Sequence, residues 1–392
     1  MKKLMILAVA AIALAACSKT YEVKHVKATE IGFGTWAESL TRAISDPRTA
    51  GTNAFGVGDS FAVYGYKDMS DDSDPNTVFD DVEVEMTVAG TPGTWTYSPI
   101  RFWDKNYDKY IFYAVSPSSV GTAATVNPQT GEITSASIVF AGNNKDILVA
   151  EKKTVLKASY NTQVEMKFNH VASLVDFKLA KASNLHDATV TVTSFTLGNI
   201  QTTGVMTVDD DYDATVYGGT YGPVVSWSNT ATGSYLPANG VTPVYSNDGA
   251  GDNVISVTHP LTIAEDDAFP VPAEPGDGKS TPVITNLVVK PQTFTAPSDR
   301  SDPEDASNAA AQKLTITYTI SVTNGGTNTY TSTLWLSDFD IVNDIDQEDT
   351  KVASWDTGKH YTFYITLDSN PIAFGASIRD WTTGTGYHYL VN

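Results

Sequence analysis

The 392-residue chain contains one cysteine, Cys17. No internal disulfide is then possible, so stability in an oxidising exterior must come from packing alone. Positive charge is also scarce. Twenty-five Lys and Arg stand against 45 Asp and Glu, a net charge of −20. That balance argues against nucleic acid as a partner, since phosphates reward Lys/Arg clusters, and against docking on anionic lipid through a basic face. The acidity is read as a solubility feature. Beyond Leu14 there is no long apolar run, so no transmembrane helix is expected after the N-terminus. Chemistry-bearing motifs are missing as well: no G-x-S-x-G, no phosphate-binding loop, no G-x-G-x-x-G and no CxxC. None of His25, His170, His186, His259, His360 and His388 stands four residues from another, as a zinc-binding helix requires. No enzyme activity, cofactor or metal is expected.

What is present begins at the N-terminus. Met1-Lys2-Lys3 is a positive start, Leu4 to Leu14 an apolar centre, and Ala15-Ala16 small residues before Cys17. That order is a secretory signal. Leu14-Ala15-Ala16-Cys17 resembles a bacterial lipobox, which implies cleavage after residue 16 and lipidation of Cys17. The chain would then be tethered to a membrane by acyl chains. An ordinary signal peptide followed by a chance cysteine is the alternative.

Hydrophobic residues reach 41%, enough for globular cores, and 10% aromatic content argues against disorder. The length suggests two domains. Ile31 and Phe33 alternate with Glu30, Gly32 and Gly34, so Ala28–Trp36 reads as a first, half-buried strand. Short strands follow at Phe61–Tyr66, Val82–Val88, Trp95–Tyr97, Lys109–Val115 and Ser137–Phe140. A second series covers Thr162–Phe168, Ala172–Leu179, Thr189–Leu197, Val283–Val289, Lys313–Val322, Thr329–Leu336, His360–Leu367 and Ile372–Trp381. Turn signals such as Asp72-Ser-Asp-Pro-Asn76 and Thr91-Pro-Gly93 separate them. Long 3.6-residue periodicity is absent, so the fold class is all-β, built of β-sandwiches. The boundary is placed near Tyr160. Residues 260–310, rich in proline, are expected to be irregular, with a helical turn or two at Glu304–Gln312. Tyr110-Ile-Phe-Tyr113 after Trp103 is echoed by Tyr361-Thr-Phe-Tyr364 after Trp355, a faint sign of two related halves.

Some residues invite chemical readings. His170, beside Phe168 on a strand-like run, is read as a hydrogen-bonded, half-buried histidine and not a ligand. Asp71-Asp72-Ser-Asp74 and Asp209-Asp210-Asp211-Tyr-Asp213 offer clustered oxygens of the kind Ca²⁺ takes. They lack EF-hand spacing and are read as solvated loops. Trp95, Trp103, Trp355 and Trp381 lie in strand-like runs and are expected to fill cores.

Several pieces, in order, resemble the fimbrillin (Mfa-like) family of type V pilus lipoproteins. They are the lipobox at Cys17, Leu40-Thr41-Arg42-Ala43 and Gly58-Asp59-Ser60-Phe61-Ala-Val-Tyr-Gly65-Tyr66. Trp95-Thr-Tyr-Ser-Pro99, Trp103 and Tyr110-Ile-Phe-Tyr-Ala114-Val-Ser-Pro117 follow. Lys167-Phe168-Asn-His170, Gly358-Lys-His-Tyr361 and Ala376-Ser-Ile-Arg-Asp380-Trp381 complete the set. The long insertion at 260–310 departs from the pattern and leaves the type of subunit open.

The resemblance implies two tandem transthyretin-like β-sandwiches, residues 43–160 and 161–392, after a signal peptide at 1–16. It implies export as an outer-membrane lipoprotein, then cleavage by an arginine-specific protease between Arg42 and Ala43, with Arg48 as the other possible site. Residues 17–42 would leave as a propeptide carrying the first strand. Losing Ile31 and Phe33 would open an apolar groove and an unpaired edge, which invite strand addition. The C-terminal tail would be the donor, through Tyr387, Tyr389 and Val391, unless it folds back on its own domain. Partners would be other pilin subunits in a head-to-tail polymer, with a host or bacterial surface receptor, in support of adhesion and biofilm formation. The alternatives are a pilus anchor or tip subunit, or a lipid-anchored surface protein that binds glycan or a host ligand.

Overall fold

The computed structural model describes residues 29–35, 55–67, 76–89, 93–121, 124–127, 130–140, 146–182, 185, 188–217, 220–228, 261–262, 281–303, 305–339, 351–369 and 373–380. They are almost entirely strand. The first series is β1 (Phe33–Thr35), β2 (Ser60–Lys67), β3 (Asn76–Val88), β4 (Thr94–Thr96), β5 (Lys109–Ser116), β6 (Thr125–Val126), β7 (Ile133–Val139), β8 (Leu148–Ala150), β9 (Lys153–Leu156), β10 (Val164–Met166) and β11 (Phe168–His170). The second is β12 (Ser173–Lys181), β13 (Ala188–Gly198), β14 (Thr203–Tyr217), β15 (Thr220–Ser228), β16 (Leu261–Thr262), β17 (Thr281–Val289), β18 (Gln292–Thr293), β19 (Lys313–Val322), β20 (Thr327–Trp335), β21 (Ser354–Trp355), β22 (Lys359–Leu367) and β23 (Ala373–Asp380).

Four sheets carry the architecture. The first has the order β11-β8-β5-β2-β3-β4, with β9 also paired to β5. Strict alternation makes it two-faced. Phe61, Val63, Phe112 and Ala114 enter one core, roofed by β1 and β10. Ala62, Tyr64, Ile111 and Tyr113 enter another, shared with Ile133, Met206 and Val208 of a second sheet, β15-β14-β7-β6. The first half of the chain is thus three layers deep, and its outer sheet pairs β7 with β14, across the expected boundary at residue 160. The other two sheets, β17-β12-β22-β23 and β16-β13-β19-β20, close a third core around Phe177, Phe195, Ile316, Tyr318 and Phe363.

Most strands lie where period-2 patterning expects them, and the departures have physical causes. The run Thr162–Phe168 is two strands, because β10 pairs with β1 while β11 pairs with β8. The acidic run at Asp209–Asp213, expected as a loop, lies inside β14. Pairing with β15 carries β14 through it, although Asp is a poor strand former. The register shifts between Asp209 and Tyr212 as it passes. Residues 260–310, expected to be irregular, contain β16, β17 and β18. Here pairing with β12 outweighs the proline, Pro282 standing opposite Lys178. The helical turn expected at Glu304–Gln312 is one 3₁₀ turn, Ala306–Asn308, whose start is held by Asp305 Oδ1 accepting from Ser307 N at 2.7 Å.

The faint echo between the halves has a structural counterpart. Asp104 N donates to Tyr110 Oη at 2.8 Å, and Asp356 N donates to Tyr361 Oη at 2.8 Å. In each half a Trp-Asp turn is pinned by the first tyrosine of the next strand, β5 or β22. Trp103 stacks on Tyr160 at 4.6 Å, and Trp355 meets Phe294 edge-on at 5.2 Å. Trp95, Trp103 and Trp355 are all buried. Trp381 lies outside the described residues.

The passage between the halves is packed and partly polar. Val171, Ala172 and Val288 belong to the core shared by the first two sheets. Lys290, 2% exposed, donates from Nζ to Gln201 Oε1 at 2.9 Å, and Gln292 Oε1 accepts from Gln201 N at 2.9 Å. Burial pulls the Lys290 ammonium down to about 8 from 10.5.

Tyr110→Phe and Tyr361→Phe each strand an aspartate amide, and each is expected to cost about 1–3 kcal/mol in urea unfolding. A loss confined to one half would show that the two turns are not equivalent. Lys290 sets a pH signature. Because its folded pKa is depressed, the unfolded chain binds more protons between pH 8 and pH 10, and stability rises through that window. Tyr66, pushed up by burial to about 12 from 10.0, acts oppositely, so its contribution is present below pH 10 and is lost above it. Thermal melts should therefore show a rise between pH 8 and pH 10 that Lys290→Met removes. An unchanged rise in that variant would assign it elsewhere.

Candidate assembly site

Residues 29–35 are held on both sides. Ile31 N donates to Arg101 O at 2.9 Å and Trp103 N donates to Thr29 O at 3.0 Å, with Glu30 bridged to Phe102. On the other flank β1 runs parallel to β10, pairing Phe33 with Val164, Gly34 with Glu165 and Thr35 with Met166. Val164 N donates to Gly32 O at 2.8 Å. The segment is thus the middle strand of a small roof over the first sheet.

Alternation sends Ile31 and Phe33 inward, 0% and 1% exposed. The Phe33 ring sits in an aromatic cleft. It meets Phe79 at 5.3 Å, Tyr97 at 5.6 Å, Phe112 at 5.7 Å and Phe61 at 6.2 Å, all edge to face. Such contacts add about 0.5–1.5 kcal/mol per pair beyond area burial. Tyr97 Oη donates to Ile31 O at 2.6 Å and accepts from Arg101 N at 3.2 Å. Burial pushes the Tyr97 hydroxyl up, so it stays a donor.

Two glycines make the fit possible. A Cβ on Gly65 would stand 2.8 Å from Phe79 and 3.0 Å from Phe112, two walls of the cleft. A Cβ on Gly34 would strike the Gln163 amide, whose Nε2 donates to Phe33 O.

Beside β10 lies a shallow charged depression lined by Glu151, Lys152, Lys153, Glu165 and Lys167, in which Lys167 Nζ pairs with Glu151 at 2.6 Å. The buried histidines are paired. His170 Nδ1 lies 2.6 Å from Asp146 and His360 Nε2 lies 2.8 Å from Asp176. His170 is thus more deeply buried than expected, at 4% exposed. Burial pushes the Asp146 carboxyl up, and His170 beside it opposes that rise. Among the described residues no group of three His, Cys, Asp or Glu could hold a metal ion. No helix of the described residues is long and apolar enough to cross a membrane.

Of the residues singled out from sequence, Ile31 and Phe33 stand together in the cleft. Cys17, Arg42, Ala43, Arg48, Tyr387, Tyr389 and Val391 lie outside the described residues, as does the acidic run at 71–74. After Thr35 the next described residue is Phe55, which packs on Trp95 and Phe168 in the same core. The covalent link from β1 to the remainder therefore runs through residues 36–54, which contain Arg42 and Arg48. The sequence places Tyr97, Phe112 and β10 on strands but marks none of them, nor Phe79, as part of a site. Trp95-Thr-Tyr97 and Tyr110-Ile-Phe-Tyr113 carried the signal as alternating aromatic pairs.

Phe33→Ala in the full chain is expected to cost about 3–5 kcal/mol in urea unfolding, the range for a buried phenylalanine. A loss below about 1 kcal/mol, the scale of a surface change, would mean that the cleft does not grip the strand.

Comparison with known proteins comes to one family. A fimbrillin-like family model matches residues 41–381. Among curated proteins none matches the chain. Among solved structures it is similar to a fimbrial protein from Bacteroides vulgatus, at 18% identity over 82% of this chain and 92% of that one, with a TM-score of 0.46. It is also similar to the C-terminally truncated tip fimbrial protein Mfa3 from Porphyromonas gingivalis, at 9% identity over 90% and 99%, with a TM-score of 0.37. The family match spans nearly the whole chain, including the cleft and both Trp-Asp turns: the chain belongs to the fimbrillin-like family.

Proposed function

We propose that the chain is a structural pilus subunit, exported as a lipoprotein on Cys17, cut between Arg42 and Ala43, and polymerised head to tail by strand exchange. One observation carries the reading. A short strand fills an aromatic cleft and is joined to the remainder only through a segment that contains Arg42. Once that link is cut, β1 is retained by non-covalent contacts alone. Its departure frees the backbone of β10 and empties the sockets of Ile31 and Phe33.

An incoming strand with period-2 apolar residues restores both the ladder and the side-chain contacts. The tail of another subunit, with Tyr387, Tyr389 and Val391, has that pattern. A contact of this kind is heterologous and does not close, so it builds a filament. The fibre would extend from the cell surface and support adhesion and biofilm formation, with other pilin subunits as partners. Lipid on Cys17 would hold the subunit at the outer membrane until an arginine-specific protease cuts the link, and a host or bacterial surface receptor would be the fibre's ligand.

Mass spectrometry of the protein from its native cells tests the cut. A mature start at Ala43 is expected, and a start at lipidated Cys17 would mean a retained strand and an anchor. Assembly has its own test. Deleting residues 383–392, or replacing Arg42 and Arg48 by Ala, should leave folded subunits that form no fibres in electron micrographs. Normal fibres from the tail deletion would exclude the tail as donor.

A further inference from the structure

The outer face of the first strand is bare. Ile31 and Phe33 point inward, so Gly32 and Gly34 take the outward positions beside them. The Gln163 side chain lies along this track. A Cβ on Gly32 would stand 3.9 Å from Gln163 Cγ, and one on Gly34 would stand 2.8 Å from Cδ and 2.9 Å from Nε2. Gly34 is buried, although Gln163 is itself exposed. Neither glycine has a positive φ. A side chain at position 34 would therefore meet the Gln163 amide and no backbone strain.

Gln163 immediately precedes β10, and the two hold β1 from different sides. Val164 N donates to Gly32 O at 2.8 Å, on the flank where β1 and β10 pair. Successive carbonyls of a strand point to opposite flanks. Phe33 O therefore faces away from β10, on the flank where Ile31 N meets Arg101 O. Gln163 Nε2 donates to Phe33 O by crossing the outer face of the strand. That crossing occupies the space a Cβ at position 34 would take.

We propose that Gln163 is a strap specific to the chain's own first strand, a positioning residue that tells residues 29–35 from an incoming tail. It closes over Gly34 and is turned out by a strand that carries a side chain at that place. The inference rests on the strand exchange proposed above.

The tail supplies the contrast, and the contrast does not depend on register. Running in the direction of β1, the tail can set Tyr387, Tyr389 or Val391 in the Phe33 socket. The residue that then replaces Gly34 is His388, Leu390 or Asn392, and none of these is glycine. Each register turns the strap out. The cut strand is thus held by a hydrogen bond that its replacement lacks. Gln163 slows the departure of residues 29–35 after the cut and contributes nothing to the hold on the tail. It sets how long the cleft stays closed before exchange.

Hydrogen exchange of residues 29–35 in the full chain tests the strap with no cut and no donor. Gln163→Ala should speed exchange of the Ile31 amide about two- to twelvefold, the worth of one neutral hydrogen bond. Gly34→Leu gives β1 the side chain that Leu390 would bring, and in that background Gln163→Ala should have no further effect. Gly34→Ala repeats the comparison should the leucine chain fail to fold. No effect of Gln163→Ala in the parent chain overturns the proposal. So does the same effect whether position 34 is glycine, alanine or leucine. A second measurement uses the chain cut after Arg42 and a peptide of residues 382–392. Gln163→Ala should shed the N-terminal piece faster by the same factor and capture the peptide as well as the parent does. Weaker capture by the variant would mean a general grip on any strand and overturns the discrimination. Capture by neither chain would count against the tail as donor and leave the exchange result standing.

Discussion

Everything in the first half of the molecule is arranged around one ring. Phe33 enters a cleft of four aromatic side chains from three different strands and the turn-flanked Tyr97 segment. The cleft exists because Gly65 leaves space between Phe79 and Phe112. Tyr97 also ties down the backbone two residues before the ring, through Ile31 O. The roof strand is therefore fixed by a side-chain socket, a hydrogen bond from below and ladders on both flanks. Such a site is closed when filled and strongly apolar when empty.

The rest of the fold keeps that socket rigid. The sheet that forms its floor is covered on its other face by β7 and β14, so Tyr64 and Tyr113 are packed as tightly as Phe61 and Phe112. The two halves repeat one local device, a Trp-Asp turn whose amide is held by a tyrosine hydroxyl at 2.8 Å. Each is the first tyrosine of the strand that carries the core aromatics, Phe112 in one half and Phe363 in the other. Between the halves, Lys290 and its glutamine partners hold the chain by satisfied polar contacts as well as by packing. A buried ammonium of this kind disfavours its own charged form, which is why it reports on pH.

Legibility differed by kind of feature. Ile31 and Phe33 were readable because a period of two is a local property, and the same holds for β2, β5, β19 and β22. The echo of Tyr110 and Tyr361 was visible as a pattern, but its meaning was not, since a hydroxyl reaching back to a turn amide leaves no spacing rule. The acidic run at Asp209–Asp213 was misread. Propensity favours a loop there, and pairing with the next strand, β15, carries a strand through it. The division of Thr162–Phe168 was hidden for the same reason, because the two pieces differ only in their distant partners. The walls of the cleft were legible as buried aromatics but not as a site.

The sequence by itself determined which side chains point inward, the all-β class, and the position of Arg42 between the first strand and the rest. These follow from local alternation and composition, which need no knowledge of contacts. Only the tertiary structure decided that β1 lies parallel to β10 from far along the chain and that β7 joins β14 across the halves. Strand alternation says which face is buried and is silent about neighbours. Neighbours are chosen by the summed packing of distant segments, here by which strand best fills the space between Phe79 and Phe112.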